Sequence, residues 1–273
     1  MIKRARLSGS QRNGFTILEV LLSLLILGII SLAFIRIFSV TLDATNRINS
    51  RNSLLHEAQI AVQVIASRVK LAWYVFPDGT RIRINGGATT RNHLAKSNTW
   101  VVGTDPILAL VLPPKMPGKT ELCNPANPGF DSGYCFRFFA YYAIRRSDYL
   151  AAISSTSSEA LFPDNYNDDN YNDDTWVIME FRRRLVGITN PSAITPPNGG
   201  PMYAGVKGRL LIEYVQPESE SPMYSLFTVQ PDSSVVLSLR MLQHASKRDY
   251  RVPGKADPPL ISRATPRNLN AGN

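Results

Sequence analysis

The residues able to do chemistry are sparse and lie far apart along the chain. The densest set is DNYNDDNYNDD (residues 164–174), a five-residue unit in tandem that puts Asp164, Asp168, Asp169, Asp173 and Asp174 within eleven residues. Carboxylate and amide oxygens at that density suit Ca2+, a hard cation that takes about six to eight oxygen ligands. The spacing is not that of an EF-hand: counted from Asp168, the glycine position holds Asp173 and the twelfth position holds Met179. A solvated acidic loop and a Ca2+-binding loop are both open readings.

Two cysteines, Cys123 and Cys135, flank a Pro/Gly/Asn-rich loop, CNPANPGFDSGYC. In an exported chain the simplest reading is a disulfide, since metal or redox chemistry would call for further cysteines or a C-x-x-C. His56, His93 and His244 are isolated, and neither H-E-x-x-H nor G-x-S-x-G occurs. PGKT (117–120) imitates the end of a P-loop, but Pro113 stands where the first glycine is required. The pattern is not that of an enzyme. A basic run, FRRRL (181–185), with Arg145, Arg146 and the C-terminal cations, could meet DNA phosphates. The pleat of a strand sends neighbours to opposite faces, so Arg182 and Arg184 share a face and Arg183 does not.

The element that must position everything else is the apolar run near the start. From Val20 to Ile35 nothing is charged, and Phe15 to Ile35 is 21 residues. As a helix that is roughly 31 Å, the thickness of a bilayer core. Lys3, Arg4, Arg6 and Arg12 precede it with no acid among them, a positive-inside pattern that leaves the N-terminus cytoplasmic and the rest exported. They supply four of the net +9, leaving +5 elsewhere, so the high pI alone says little about nucleic acid. No A-x-A-like site follows the run, which separates it from a secretory signal. Glu19 is out of place here, because an ionised group in such a span is costly unless partnered.

The order of residues, a basic leader, then GFTILE and about twenty apolar residues, resembles the type IV prepilin signal. The resemblance implies that prepilin peptidase cuts after Gly14 and that Phe15 becomes the N-methylated first residue. It implies as well that Glu19 is a docking residue, pairing with the terminal amine of a neighbouring subunit. Gly28 matches a glycine common in these helices. Such a buried ion pair is better understood as setting register than as adding net stability. Pilins commonly carry a helix-breaking proline near the end of the run; here Arg36 is the nearby polar residue and no proline appears.

Between Gly28 and Pro77 there is neither glycine nor proline, and Leu54, Ala58, Ala61, Ile65, Val69 and Ala72 recur at spacings of four and three. One helix from about Phe15 to Trp73 is predicted, ended by FPDGT. Beyond Pro77 the period shifts towards two: RIRI (81–84), PILALVL (106–112), CFRFFAYYAIR (135–145), WVIMEFRRRL (176–185), GRLLIEYV (208–215), MYSLFTV (223–229) and SVVLSLRML (234–242) read as strands. With no crossover helices between them, antiparallel pairing follows. The expected fold is α+β, a long N-terminal transmembrane helix packed on an antiparallel sheet, as in type IV pilins. The expected divisions are a cleaved leader (1–14), a transmembrane or filament-core helix (15–36), its exported amphipathic half (37–76), a β-rich head (77–243) and a basic, proline-rich flexible tail (244–273).

AQIAVQVIASRVKLA, on the exported half of the helix, resembles the matching stretch of larger minor pilins and pseudopilins of the W/J type. The implied function is a structural one: a minor pilin held in the inner membrane and assembled at or near the tip of a type IV pilus. Its implied partners are other pilins, prepilin peptidase and the pilus assembly platform, with display, motility, adhesion or DNA uptake as the outcome. A pseudopilin of a type II secretion system is the alternative on the same N-terminus, and a DNA- or surface-binding tip module is a third. Gly14→Val, by adding bulk at the scissile site, is expected to block processing. Mass spectrometry of membrane-extracted protein should find wild type starting at N-methylated Phe15 and the variant starting at Met1; an intact leader in wild type would exclude the cleavage.

Overall fold

A computed structural model describes residues 16–116, 118–124, 126, 131–154, 171–188, 208–220, 223–245 and 248–267. The chain divides into two units, Met1–Asn49 and Ser50–Asn273.

Helix α1 (Ile17–Lys70) supplies the described part of the first unit and, from Ser50, one element of the second. Every residue from Thr16 to Asn49 is exposed, including Leu21, Leu25, Phe34 and Phe38. Several of its hydroxyls bond back within the helix: Ser23 Oγ donates to the Glu19 carbonyl, and Thr41 and Thr45 donate to the carbonyls four residues earlier, at 2.8–2.9 Å. Back-bonding of this kind relieves a hydroxyl of its need for water, which suits a segment in hydrocarbon.

In the second unit the α1 stripe is Leu54, Ala58, Ala61, Ile65 and Val69, all buried. The two alanines let the helix backbone come close to what it covers. That is a seven-stranded antiparallel sheet made of β1 (Tyr74–Val75), β4 (Ile107–Leu112), β5 (Phe136–Arg145), β6 (Trp176–Leu185), β7 (Arg209–Val215), β10 (Met241–Ala245) and β11 (Arg248–Val252), in that spatial order. β4 is buried at all six positions, the pattern of a strand covered on both faces. On one face the Arg68 guanidinium of α1 lies 5.1 Å from the Phe139 ring centre. On the other, Trp100 packs against Tyr142, its ring centre 5.0 Å away. Trp100 belongs to a two-stranded sheet, β2 (Arg81–Arg83) with β3 (Thr99–Val101). Phe138 stands between Phe76 and Phe181, 6.0 Å from each, in edge-on contacts.

The turn after β2 locks this second face. Tyr142 donates its hydroxyl to the Thr89 carbonyl at 2.9 Å, and Trp100 donates its indole N–H to the Thr90 carbonyl at 3.1 Å. Gly208, at the entry to β7, donates its N–H to Thr89 Oγ1 at 3.1 Å, and a Cβ there would strike the Tyr142 hydroxyl. Glycine is needed for the close approach.

The strands of the sequence reading are present, though MYSLFTV shrinks to β8 (Phe227–Val229) and SVVLSLRML divides into β9 (Val235–Leu239) and β10. Three features differ. α1 ends at Lys70 and a nine-residue helix, α2 (Arg146–Ser154), follows β5 directly. Arg146 at its start is fully buried, its Nε 3.5 Å from Glu213, so it is withdrawn from the basic surface proposed for it. The third difference is the tail. Residues from His244, expected to be loosely draped, form the end of β10, all of β11 and β12 (Leu260–Ala264), the last paired with β9 in a three-stranded sheet with β8. The backbone N–H of Arg267 then donates to the Lys70 carbonyl at 3.0 Å, satisfying one of the acceptors left open at the end of α1. The prolines sit between these strands and leave the ladders intact.

His93 is half-buried with its ring edge-on to Trp176, and neither ring nitrogen has a hydrogen-bond partner among the described residues. Burial lowers its pKa from 6.5 to about 4, with Asp148 opposing and Arg145 reinforcing. Between those values the unfolded chain binds the extra proton, so stability rises with pH there and is lost as pH falls from 6.5 towards 4. The loss is at most about 3 kcal/mol. Tryptophan fluorescence reports this unit, because Trp73, Trp100 and Trp176 all lie in it. Melts followed that way should drop in temperature across this window for wild type and stay flatter for His93→Phe; equal slopes would remove His93 as the cause.

Candidate functional site

The first site is the start of α1. The Thr16 backbone N–H and hydroxyl both donate to Glu19 Oε2, at 3.2 and 3.3 Å, and the Glu19 N–H donates back to Thr16 Oγ1 at 3.3 Å. This is a reciprocal capping box, threonine at the N-cap and glutamate three residues on. The helix N-terminus also favours the carboxylate electrostatically. Thr16 was missed in the sequence, although T-x-x-E ahead of an apolar run is its signature. Gly14 and Phe15, the predicted cleavage pair, lie outside the described residues.

The second site is a trough of about 1190 Å3 in the second unit. Arg182 and Arg184 of β6 line it from one strand, and Arg137 and Phe139 of β5 from the next. The register puts Arg184 opposite Arg137 and Arg182 opposite Phe139, all on one face of the sheet. Arg68 from the last turn of α1 and Lys115 from the loop after β4 complete the cationic lining. Arg182 and Arg184 are exposed; Arg183, turned by the pleat to the other face, is half-buried and also borders the trough.

Acidic compensation is small. Asp131 is the carboxylate in the lining, and it accepts the Gly133 N–H at 2.7 Å. Glu180, on the same face, accepts the Tyr141 hydroxyl at 3.1 Å. Among the described residues Arg68, Lys115, Arg137, Arg182 and Arg184 form no salt bridge. Arg137 donates from Nη2 to the Pro113 carbonyl at 3.2 Å. Burial, then the nearby Arg68 cation, push its pKa below the usual guanidinium range. Burial, then the Glu180 carboxylate, push the Tyr141 phenol well above its ordinary value.

One rim of the trough is made by the cysteine loop. Cys123 and Cys135 are joined in a disulfide, Cα atoms 5.0 Å apart, and between them the turn at 131–133 carries Asp131 and Gly133. Met116 N–H donates to the Gly133 carbonyl at 3.1 Å, and Gly187 N–H to the Cys123 carbonyl at 2.8 Å, tying the loop to both neighbouring chain segments.

Of the sequence-predicted residues, the structure brings Arg182 and Arg184 together and adds Arg68, Arg137 and Lys115, which were not foreseen. Arg137 left a trace, as the one cation inside an otherwise apolar strand. Asp164, Asp168 and Asp169 of the acidic repeat lie outside the described residues. Asp173 and Asp174 sit in the turn before β6, where Ser147 N–H donates to the Asp173 carbonyl at 3.1 Å. Among the described residues no group of three His, Cys, Asp or Glu side chains is placed to hold a metal.

Comparison with known families finds the prokaryotic N-terminal methylation motif over residues 9–35. The match supports a type IV pilin-like protein. The α+β fold, a long helix on an antiparallel sheet, is consistent with the type IV pilin-like fold. No curated protein and no solved structure matches the chain. The motif implies processing by prepilin peptidase and assembly with other pilins, and with the apolar helix it supports a membrane-anchored pilin. It suggests a structural subunit rather than an enzyme.

Closing the cysteine loop restrains the unfolded chain, a contribution of about 3 kcal/mol for a loop of this length on the chain-entropy account. Cys123→Ser with Cys135→Ser should therefore lower the fluorescence melting point, and a reductant should do so in wild type but not in the double variant. An unchanged melt on reduction would show that the bridge adds nothing.

Proposed function

We propose that the chain is a minor pilin: anchored in the inner membrane by α1, cut between Gly14 and Phe15, and assembled at or near the tip of a type IV pilus, where it helps initiate assembly. The observation that carries this is the methylation motif joined to a helix whose residues 16–49 are all exposed. Contiguous apolar surface of that extent is rare on soluble monomers and calls for lipid or other subunits to cover it. A head of ten or more strands is bulky for a repeating subunit, which favours a minor one. A type II secretion pseudopilin would use the same N-terminus, and recovery in sheared pili rather than in a periplasmic pseudopilus separates the two.

In this reading Glu19 receives the N-methylated amine of a neighbouring Phe15, and the capping box permits a sharper test than alanine. Glutamine can keep the cap while losing the charge. Glu19→Ala loses both, a helix-end change of about 0.5–2 kcal/mol. If the pairing is ionic, Glu19→Gln and Glu19→Ala should both be cleaved normally and both be depleted from sheared pili by immunoblot. Normal incorporation of Glu19→Gln would reduce Glu19 to a capping residue.

A further inference from the structure

The cationic trough is not needed for anchoring, cleavage or the Glu19 contact, yet its described lining sets five arginines and a lysine against one carboxylate. Like charges directly opposite one another across an antiparallel pair are destabilising, and Arg184 faces Arg137 in this way. Arg68 adds a third guanidinium over Phe139, the residue opposite Arg182. Among the described residues Asp131 is the one carboxylate in the lining and already accepts the Gly133 N–H, and Glu180 on the same face accepts the Tyr141 hydroxyl. Arg68 Nε and Arg137 Nε are buried with no hydrogen-bond partner among the described residues, although the Arg68 side chain also meets the Tyr141 hydroxyl.

The lining says what kind of anion fits. Five of its six cations are arginines with fork-shaped donor sets that match phosphate oxygens two at a time, and they come from both strands and the helix end. Sites spread along a trough of this size suit a chain of phosphates better than a single one. Among the described lining residues the one aromatic, Phe139, is 3% exposed and covered by Arg68, so it offers a base no open ring to stack on. Among the described residues no asparagine or glutamine lines the trough either. We propose that this face binds the phosphodiester backbone of duplex DNA, without reading its sequence, through Arg68, Lys115, Arg137, Arg182 and Arg184.

Each neutralised phosphate releases counterions, so the affinity of such a site falls steeply with salt, with a slope of about 0.9 per phosphate contact. The test uses the full chain in detergent and a fluorescein-labelled 30-base-pair duplex of mixed sequence, with anisotropy read from low to moderate NaCl. Arg182→Ala with Arg184→Ala removes two exposed cations and should weaken binding at least tenfold and flatten the salt slope by about 1.8. Arg81→Ala with Arg83→Ala removes the same charge from exposed positions on the separate β2–β3 sheet and should change affinity less than twofold. The leader cations are present in every variant, so they cannot produce the difference. A second mixed sequence should bind equally and a single strand no better. Melting points of both doubles should match wild type. Absence of binding by wild type, equal weakening in the two doubles, or stronger binding to phosphatidylglycerol vesicles or to a polyglutamate peptide would overturn the proposal. None of these results bears on filament incorporation, which is read from sheared pili.

Discussion

The constraint on which the rest of the protein depends is that one helix meets two solvents. Up to Ile35 its described side chains are apolar almost throughout, and every residue from Thr16 to Asn49 is exposed. From Leu54 the apolar positions narrow to one stripe, and that stripe is buried. A helix apolar all round must be covered by lipid or by other helices, whereas one with a single stripe needs only a sheet. The change of pattern along α1 therefore dictates both the membrane attachment and the existence of a folded head. The absence of proline and glycine from Ile29 to Phe76 keeps the two regimes in one element.

The sheet's burial explains how the head tolerates its charge cluster. β4, β5 and the first half of β6 are almost wholly buried, covered by α1 on one face and by the β2–β3 sheet with its locked turn on the other. Fully burying one large apolar side chain contributes about 1.5–3 kcal/mol, and Phe138, Tyr142 and Phe181 are each buried completely. Unfavourable like-charge pairs across a sheet are worth roughly 0.2–1 kcal/mol each. Arg137, Arg182 and Arg184 sit towards the end of β5–β6 where burial gives way to exposure, so packing outweighs the repulsion without abolishing it.

Where the sequence was legible, the physical signal was local. The helix shows in its spacing, the central strands in unbroken apolar runs, and Glu19 in being the one acid at the head of the apolar stretch. The tail from His244 was misread because RDYRV and LISRA are short, polar and bounded by proline; their strand state comes from pairing with β10 and β9, which no local pattern announces. Arg146 was misread as surface because its partner, Glu213, is 67 residues away along the chain. The trough was only half visible for the same reason. Arg182 and Arg184 are neighbours in sequence, but Arg68, Lys115 and Arg137 join them through the fold alone.

The geometry at Glu19 bears on how one carboxylate can serve both its own helix and a neighbour. Both bonds from Thr16 go to Oε2, and Oε1 has no partner among the described residues. A capping carboxylate that uses a single oxygen leaves the other, which shares the delocalised charge, open to a cation. The cap fixes the side chain's direction, so an arriving amine meets an oriented acceptor rather than a mobile one, and less side-chain entropy is lost on pairing. In the proposed reading capping and docking are one arrangement. The cap holds the carboxylate in place, and the residue that looked misplaced in an apolar run is the one that closes the run's own N-terminus.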